Sequence, residues 1–218
     1  MKLQSPCPTG LFALAALAVL AGCAGPTNLY VHKQAMIRYH DSGQYDADVR
    51  RVANRAINYI RKRAASGQPN LAVVLDIDDT AVSTWGRLLK DDFARKDEMF
   101  VAWVNGHVDP PLAPILDLYR ESQHLGVKVF FVTGRRTALA ERTRATLAEA
   151  GYVKPDGFFF RPESDREKSL APFKTGARRE ITRQGFHIIA NLGDQESDLA
   201  GGYAERAFKI PNPFYYTP

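Results

Sequence analysis

Apolar and polar positions alternate in blocks along most of this chain. Over 46–66, Val49, Val52, Ala53, Ala56, Ile60 and Ala64 fall on one face at helical spacing, with Arg50, Arg51, Arg61 and Lys62 largely off it. That spacing predicts an amphipathic helix, which Gly67-Gln68-Pro69 ends. The continuous apolar run at 71–75 has the pattern of a strand buried on both faces. Similar runs lie at 127–132, 157–160 and 187–192, with a shorter one at 207–210. Helical stretches over 113–125, 137–150 and 174–184 separate them, and Gly151 is placed to end the middle one. Strands alternating with helices predict an α/β fold, a Rossmann-like parallel sheet with helices on both faces.

Two segments do not fit that rhythm. Residues 24–44 read as a tether and irregular lead-in, and the Pro-rich tail from Pro211 reads as an extended strap. The connection between Thr80 and Val127 is 46 residues long, more than a crossover helix needs. It carries Trp85, Phe93, Phe100 and Trp103. An insertion there sits above the carboxyl end of the first strand, where ligands bind in open α/β sheets. It predicts a small cap over about 81–126.

Composition narrows the class. With 218 residues, 45% of them apolar, and 12 Phe and 9 Tyr, the chain has ample material for one packed core, and disorder, collagen and coiled coil are excluded. The longest apolar run, 11–21, is 11 residues long, short of the about 20 a membrane-spanning helix needs. It follows Lys2 and ends in Leu20-Ala21-Gly22-Cys23, the layout of a secretory signal. Those four residues resemble the lipobox of bacterial lipoproteins, which implies cleavage before Cys23 and acylation of its thiol. A plain secretory signal with an incidental cysteine is the alternative. Cleavage removes Cys7 and, among charged side chains, only Lys2, so the formal charge falls from +5 to +4 and no disulfide can form within the mature chain. The basic balance suits anionic ligands such as phosphate esters without implying nucleic acid.

The chemistry gathers at strand ends. Asp76-Ile77-Asp78-Asp79-Thr80 directly follows the first buried strand. Carboxylates crowded there raise one another's pKa, and a hard divalent cation with oxygen ligands, Mg²⁺ by preference, offsets them; an ordinary acidic surface turn is the bland alternative. Thr133-Gly134-Arg135 follows a second strand, just before a helix whose free N–H groups suit an anion. Gly193-Asp194, with Asp198 four residues on, follows a third, and Lys174 lies between these segments. No Gly-x-Gly-x-x-Gly follows the first strand and no Walker loop occurs, which disfavours dinucleotide binding. His107, His124 and His187 lack metal-ligand spacing.

Over about 70–210 this ordered set resembles the haloacid dehalogenase superfamily. Asp-Ile-Asp-Asp-Thr, Lys-Thr-Gly-Ala-Arg-Arg-Glu, Gly-Asp-Gln-Glu-Ser-Asp-Leu and Phe-Lys-Ile-Pro-Asn-Pro-Phe-Tyr-Tyr are similar to the class B acid phosphatases, which include bacterial lipoprotein phosphatases and plant vegetative storage proteins. The resemblance implies a Mg²⁺-dependent phosphomonoesterase over 45–218, behind a signal peptide at 1–22 and a lead-in at 23–44. Asp76 would be the nucleophile and Asp78 the general acid and base. Asp76, the backbone carbonyl of Asp78 and Asp194 would hold Mg²⁺, with Asp198 in support. Thr133, Gly134 and Lys174 would bind phosphoryl oxygens. Asp79 is expected to be structural or to support the residues that touch the ligand. Lys168 is a rival to Lys174, whose neighbours match better, and Arg135 either touches substrate phosphate or caps a carbonyl. The implied partners are a small phosphomonoester, nucleoside monophosphates among the candidates, and a membrane, the outer one by resemblance, reached through acylated Cys23. A 5′-nucleotidase and a non-catalytic storage protein are the alternative functions.

Overall fold

The computed structural model describes residues 28–94, 96–165 and 169–217. The signal peptide, the lipobox cysteine Cys23 and Lys168 lie outside the described residues. A strand β1 (Leu71–Leu75) forms the centre of a five-stranded sheet. On one side lie β2 (Lys128–Arg136) and β3 (Gly157–Arg161), on the other β4 (His187–Gly193) and β5 (Arg206–Lys209), and every pairing is parallel.

All of β1 is buried because helices cover both faces. Leu71, Val73 and Leu75 share a core with Val49, Ala56 and Ile60 of α2 (Gln44–Ala64), with Ile115 and Leu118 of α5 (Ala113–His124) and with Leu147 of α6 (Ala140–Glu149). Ala72 and Val74 turn the other way, onto Ala177 and Ile181 of α7 (Leu170–Arg183). The period of two still sorts the side chains, but both faces are dry, so β1 reads as unbroken apolar sequence. The two-faced sheet is the architecture the pattern predicts. No helix among the described residues is long and apolar enough to cross a membrane.

Two expectations are corrected. The irregular lead-in over 24–44 contains a helix, α1 (Leu29–Asp41), started by Asn28, whose side chain accepts from the Tyr30 N–H at 2.8 Å. It buries no residue fully, so it carries no apolar stripe by which to recognise it, although Asn28 and Gly43 mark its ends. The insertion is also shorter than 81–126. The Leu112 N–H donates to Ala81 O at 2.9 Å and the Ser83 N–H to Pro110 O at 2.9 Å, closing its base. Beyond that base, α5 is the crossover helix of the main layer, with Ile115, Leu118 and Tyr119 buried. The cap therefore consists of α3 (Trp85–Lys90), α4 (Asp97–Gly106) and their loops.

Candidate active site

Parallel strands deliver their carboxyl ends to one edge of the sheet. β1 ends at Asp76, whose N–H still pairs with Leu192 O at 3.0 Å. β2 delivers Thr133, Gly134 and Arg135, and β4 delivers Gly193 and then Asp194, just ahead of the single turn α8 (Glu196–Leu199) that carries Asp198. A cavity of about 240 Å³ opens at this edge, with Asp76, Asp78, Gly134, Arg135, Lys174, Asp194 and Asp198 in its wall.

At its floor, carboxylate oxygens of Asp76, Asp194 and Asp198 lie within 4.8 Å of one another, and all three residues are buried. Lys174, also buried, donates to Asp76 Oδ1 at 2.6 Å and to Asp198 Oδ1. One ammonium faces three carboxylates, so burial first and the neighbouring acids next hold Asp76 well above the usual carboxylate range, against the pull of Lys174. Asp194 is raised in the same way, by burial and then by Asp198. The Lys174 ammonium is held up by Asp198 and Asp76 against its own burial. An all-oxygen, anion-rich, buried donor set fits a hard divalent cation. Both oxygens of Asp198 are engaged, Oδ2 accepting the Gln195 N–H at 2.8 Å, which suits it to orienting the site. Gly193 is what lets it approach, because a Cβ there would meet the Asp198 Cβ at 2.2 Å.

Asp78 stands apart from that cluster. Arg135 Nη2 donates to its Oδ1 at 2.7 Å and Nε to its Oδ2 at 3.1 Å. Burial alone would raise Asp78, but the Arg135 charge and hydrogen bonds win and hold it below the ordinary value. Arg135 thus reaches a carboxylate rather than a carbonyl, from its place in the cavity wall. It grips the carboxylate expected to shuttle the proton, with Asp109 a further 3.7 Å from Nη2. Replacing Arg135 with Met is expected to let the Asp78 pKa climb. If protonated Asp78 is the acid, activity persists to higher pH, and the alkaline limb of a pH–rate profile moves upward; an unmoved limb contradicts that role.

Thr133 is fully buried one residue beneath the cavity wall, where its Oγ1 accepts the Arg135 N–H at 3.0 Å, while Gly134 itself lines the wall. Asp79 is structural as expected. Its carboxylate accepts from the Thr84 N–H at 2.9 Å, the Thr84 hydroxyl and the Tyr215 hydroxyl at 2.7 Å, tying the first loop to the tail. Of the cap aromatics only Phe100 lines the cavity. Trp85 stacks on His40 with centroids 4.0 Å apart, Phe93 packs on Trp85, and Trp103 stacks on His107 at 3.7 Å.

Sequence reasoning passed over the groups that hold these acids. Arg178, fully buried one turn after Lys174 on α7, donates to the backbone carbonyls of Asp198, Ala200 and Gly202, and its spacing of four from Lys174 was the available signal. Asn191 donates to Asp198 O at 2.9 Å, and Asn212 to Asp194 Oδ2 at 2.6 Å.

Comparison with known proteins agrees with this arrangement. The family model for HAD superfamily, subfamily IIIB (acid phosphatase), matches residues 27–218. The "Acid phosphatase 1" of Solanum lycopersicum is 31% identical over 176 residues, covering 79% of this chain and 69% of its own. The "Stem 28 kDa glycoprotein" of Glycine max is 31% identical over 200 residues (89% and 74%), and "Vegetative storage protein 1" of Arabidopsis thaliana is 28% identical over 181 (81% and 67%). In fold, the class C acid phosphatase from Bacillus anthracis superposes with a TM-score of 0.68 at 20% identity, over 85% of this chain and 86% of that one. With its sequence matched from the first described helix to the tail, and with the acids gathered on the edge of this sheet, the chain belongs to the acid phosphatases of HAD superfamily subfamily IIIB, phosphomonoester hydrolases.

Proposed function

We propose that the chain hydrolyses phosphomonoesters through an aspartyl-phosphate on Asp76, with Mg²⁺ as cofactor, as a lipoprotein anchored through Cys23. The observation that carries this reading is the division of acids at the cavity: a carboxylate cluster neutralised by one lysine, and a separate carboxylate gripped by arginine. An Asp76 oxygen attacks phosphorus, the P–O bond to the leaving alcohol breaks, and Asp78 gives that oxygen its proton. Asp78 then takes a proton from water as it attacks the acyl phosphate, freeing inorganic phosphate and regenerating Asp76. Asp76, Asp194 and the Asp78 carbonyl, with Asp198 in support, would hold Mg²⁺, which would supply charge neutralisation of the phosphoryl oxygens. Lys174 and the backbone at Gly134 add to it, with the Thr133 hydroxyl beneath.

Phosphate release from a panel of phosphomonoesters, with Mg²⁺ and with EDTA, tests the reading. Release in Mg²⁺ that EDTA abolishes supports it, and no release from any ester favours a storage protein, the name borne by the Arabidopsis thaliana relative. Mass spectrometry of the mature amino terminus tests the anchor, and an unmodified Cys23 refutes it.

Phe100 and Tyr215, both in the cavity wall, favour a planar leaving group and hence nucleoside 5′-monophosphates. Replacing Phe100 with Ala is expected to cut kcat/KM on these substrates by roughly 5- to 150-fold, the worth of one stacked ring, and to affect glycerol phosphate much less. An equal loss on both assigns Phe100 to packing alone.

A further inference from the structure

Besides Arg135, Arg136 and Arg161, one arginine reaches the cavity wall from the cap. Arg87, on α3, is 3% exposed and lines the wall. Its guanidinium carbon lies 5.4 Å from the centroid of the Phe100 ring, and that of Arg135 lies 5.8 Å from the same centroid. Both cations thus lie near one aromatic ring, yet they are employed differently. Arg135 is spent on Asp78, and Lys174 is spent on Asp76 and Asp198. No side-chain donor of Arg87 makes a hydrogen bond among the described residues, and its Nε is buried without a partner. Asp91, four residues on, comes no closer than 3.7 Å to Nη1, and its Oδ2 is likewise unbonded.

A buried guanidinium with unmade hydrogen bonds is expensive unless a ligand completes it. Asp91 offsets part of the charge from the Nη1 side, and the Nη edge in the cavity wall keeps donors of a planar fork matched to a carboxylate or phosphate. Arg87 comes from the cap, whereas the carboxylate cluster and Lys174 come from the strand ends and α7, so an anion held at Arg87 belongs to a part of the substrate other than the transferred phosphoryl group.

We propose that Arg87 forms a second anion subsite, which receives a carboxylate or further phosphate carried by the leaving group of the substrate. This rests on the reading of the cavity as a phosphomonoesterase site and adds a substrate class to it: esters with a second oxyanion a few bonds from the scissile phosphate.

Two matched pairs test it and separate the two oxyanions: 3-phosphoglycerate against glycerol 3-phosphate, and adenosine 3′,5′-bisphosphate, followed by loss of its 5′-phosphate, against adenosine 5′-monophosphate. The wild-type protein is expected to favour the doubly anionic member of at least one pair by at least about tenfold in kcat/KM, mainly through KM. Arg87→Met is expected to bring that ratio close to one. Arg87→Lys, which keeps the charge without the fork and guards against a folding failure, is expected to fall between. A wild-type ratio near one in both pairs, or a ratio that survives Arg87→Met, overturns the subsite, as does an equal loss on both members. If the wild type hydrolyses none of the four, the phosphatase reading fails on its own. The subsite is then decided by thermal shift in Mg²⁺: a larger shift with 3-phosphoglycerate than with glycerol 3-phosphate, lost in Arg87→Met, upholds it, and equal shifts overturn it.

Discussion

Asp76→Asn is expected to lower phosphate release from every phosphomonoester by at least about 10³-fold, a barrier increase of about 4 kcal/mol. The amide keeps the shape of the carboxylate but is a far poorer nucleophile, and no neighbour can replace it. Asp78 is gripped by Arg135, Asp198 has both oxygens engaged, and Asp194 accepts from Gln195 and Asn212. Folding should survive. The substitution removes one of three clustered buried carboxylates and leaves Lys174 its partner Asp198, so repulsion falls while a salt bridge remains. A melting temperature in EDTA no lower than that of the wild type, together with lost turnover, assigns the effect to chemistry. Turnover within tenfold of the wild type excludes Asp76 as the nucleophile. The smaller thermal shift on adding Mg²⁺ gives a readout independent of activity.

The acids were legible because a parallel sheet puts strand ends together: once 71–75, 127–132 and 187–192 read as buried strands, Asp76, Thr133 and Asp194 had to converge. β1 and β4 follow their apolar runs closely, since residues buried on both faces are mostly apolar with Asn191 the polar exception, whereas β2 runs on past 132 to Arg136. Other features depend on side-chain direction, which linear pattern does not encode. Arg135 follows its strand as a phosphate ligand would, yet it turns to a carboxylate 57 residues earlier in the chain. Thr133 is fully buried, with its Oγ1 taken by the Arg135 N–H, a local bond that the strand pattern does not announce. The helix carrying Lys174 starts at Leu170, ahead of the expected 174, because Pro172 falls in its first turn, where a missing N–H costs nothing. α1 escaped notice for want of a buried face, and Arg87 drew no attention because an arginine in a six-residue helix looks like surface.

Lys174→Met should fail in two ways that pH and metal separate. Methionine keeps most of the stem volume and deletes the ammonium, so developing phosphoryl charge loses a buried donor. Turnover is expected to fall by about 10²- to 10³-fold, the scale seen when one such donor is removed. Stability falls as well, since Asp76 and Asp198 lose the cation 2.6 Å from Asp76 Oδ1. Removing one partner of a buried pair costs about 3–5 kcal/mol, or roughly 6–20 °C of melting temperature at this size. The sign with pH follows from the direction of the carboxylate shifts. Asp76 already sits well above its ordinary 3.8, by burial first and then through its acidic neighbours, with Lys174 the main force holding it down. Without Lys174 it climbs further, so the folded state binds protons that the unfolded chain releases. The penalty relative to the wild type is therefore small while Asp76 is protonated in both folded proteins, and it grows as pH rises from the wild-type folded value, itself well above 3.8, toward the still higher value of the variant. Melting curves of both proteins in EDTA between about pH 4 and pH 7 should diverge as pH increases, and saturating Mg²⁺ should narrow the gap, because a divalent cation neutralises the same oxygens. A gap that is constant with pH and indifferent to Mg²⁺ would mean that Lys174 stabilises by packing, and that the charge balance at the cavity floor is set by something other than this lysine.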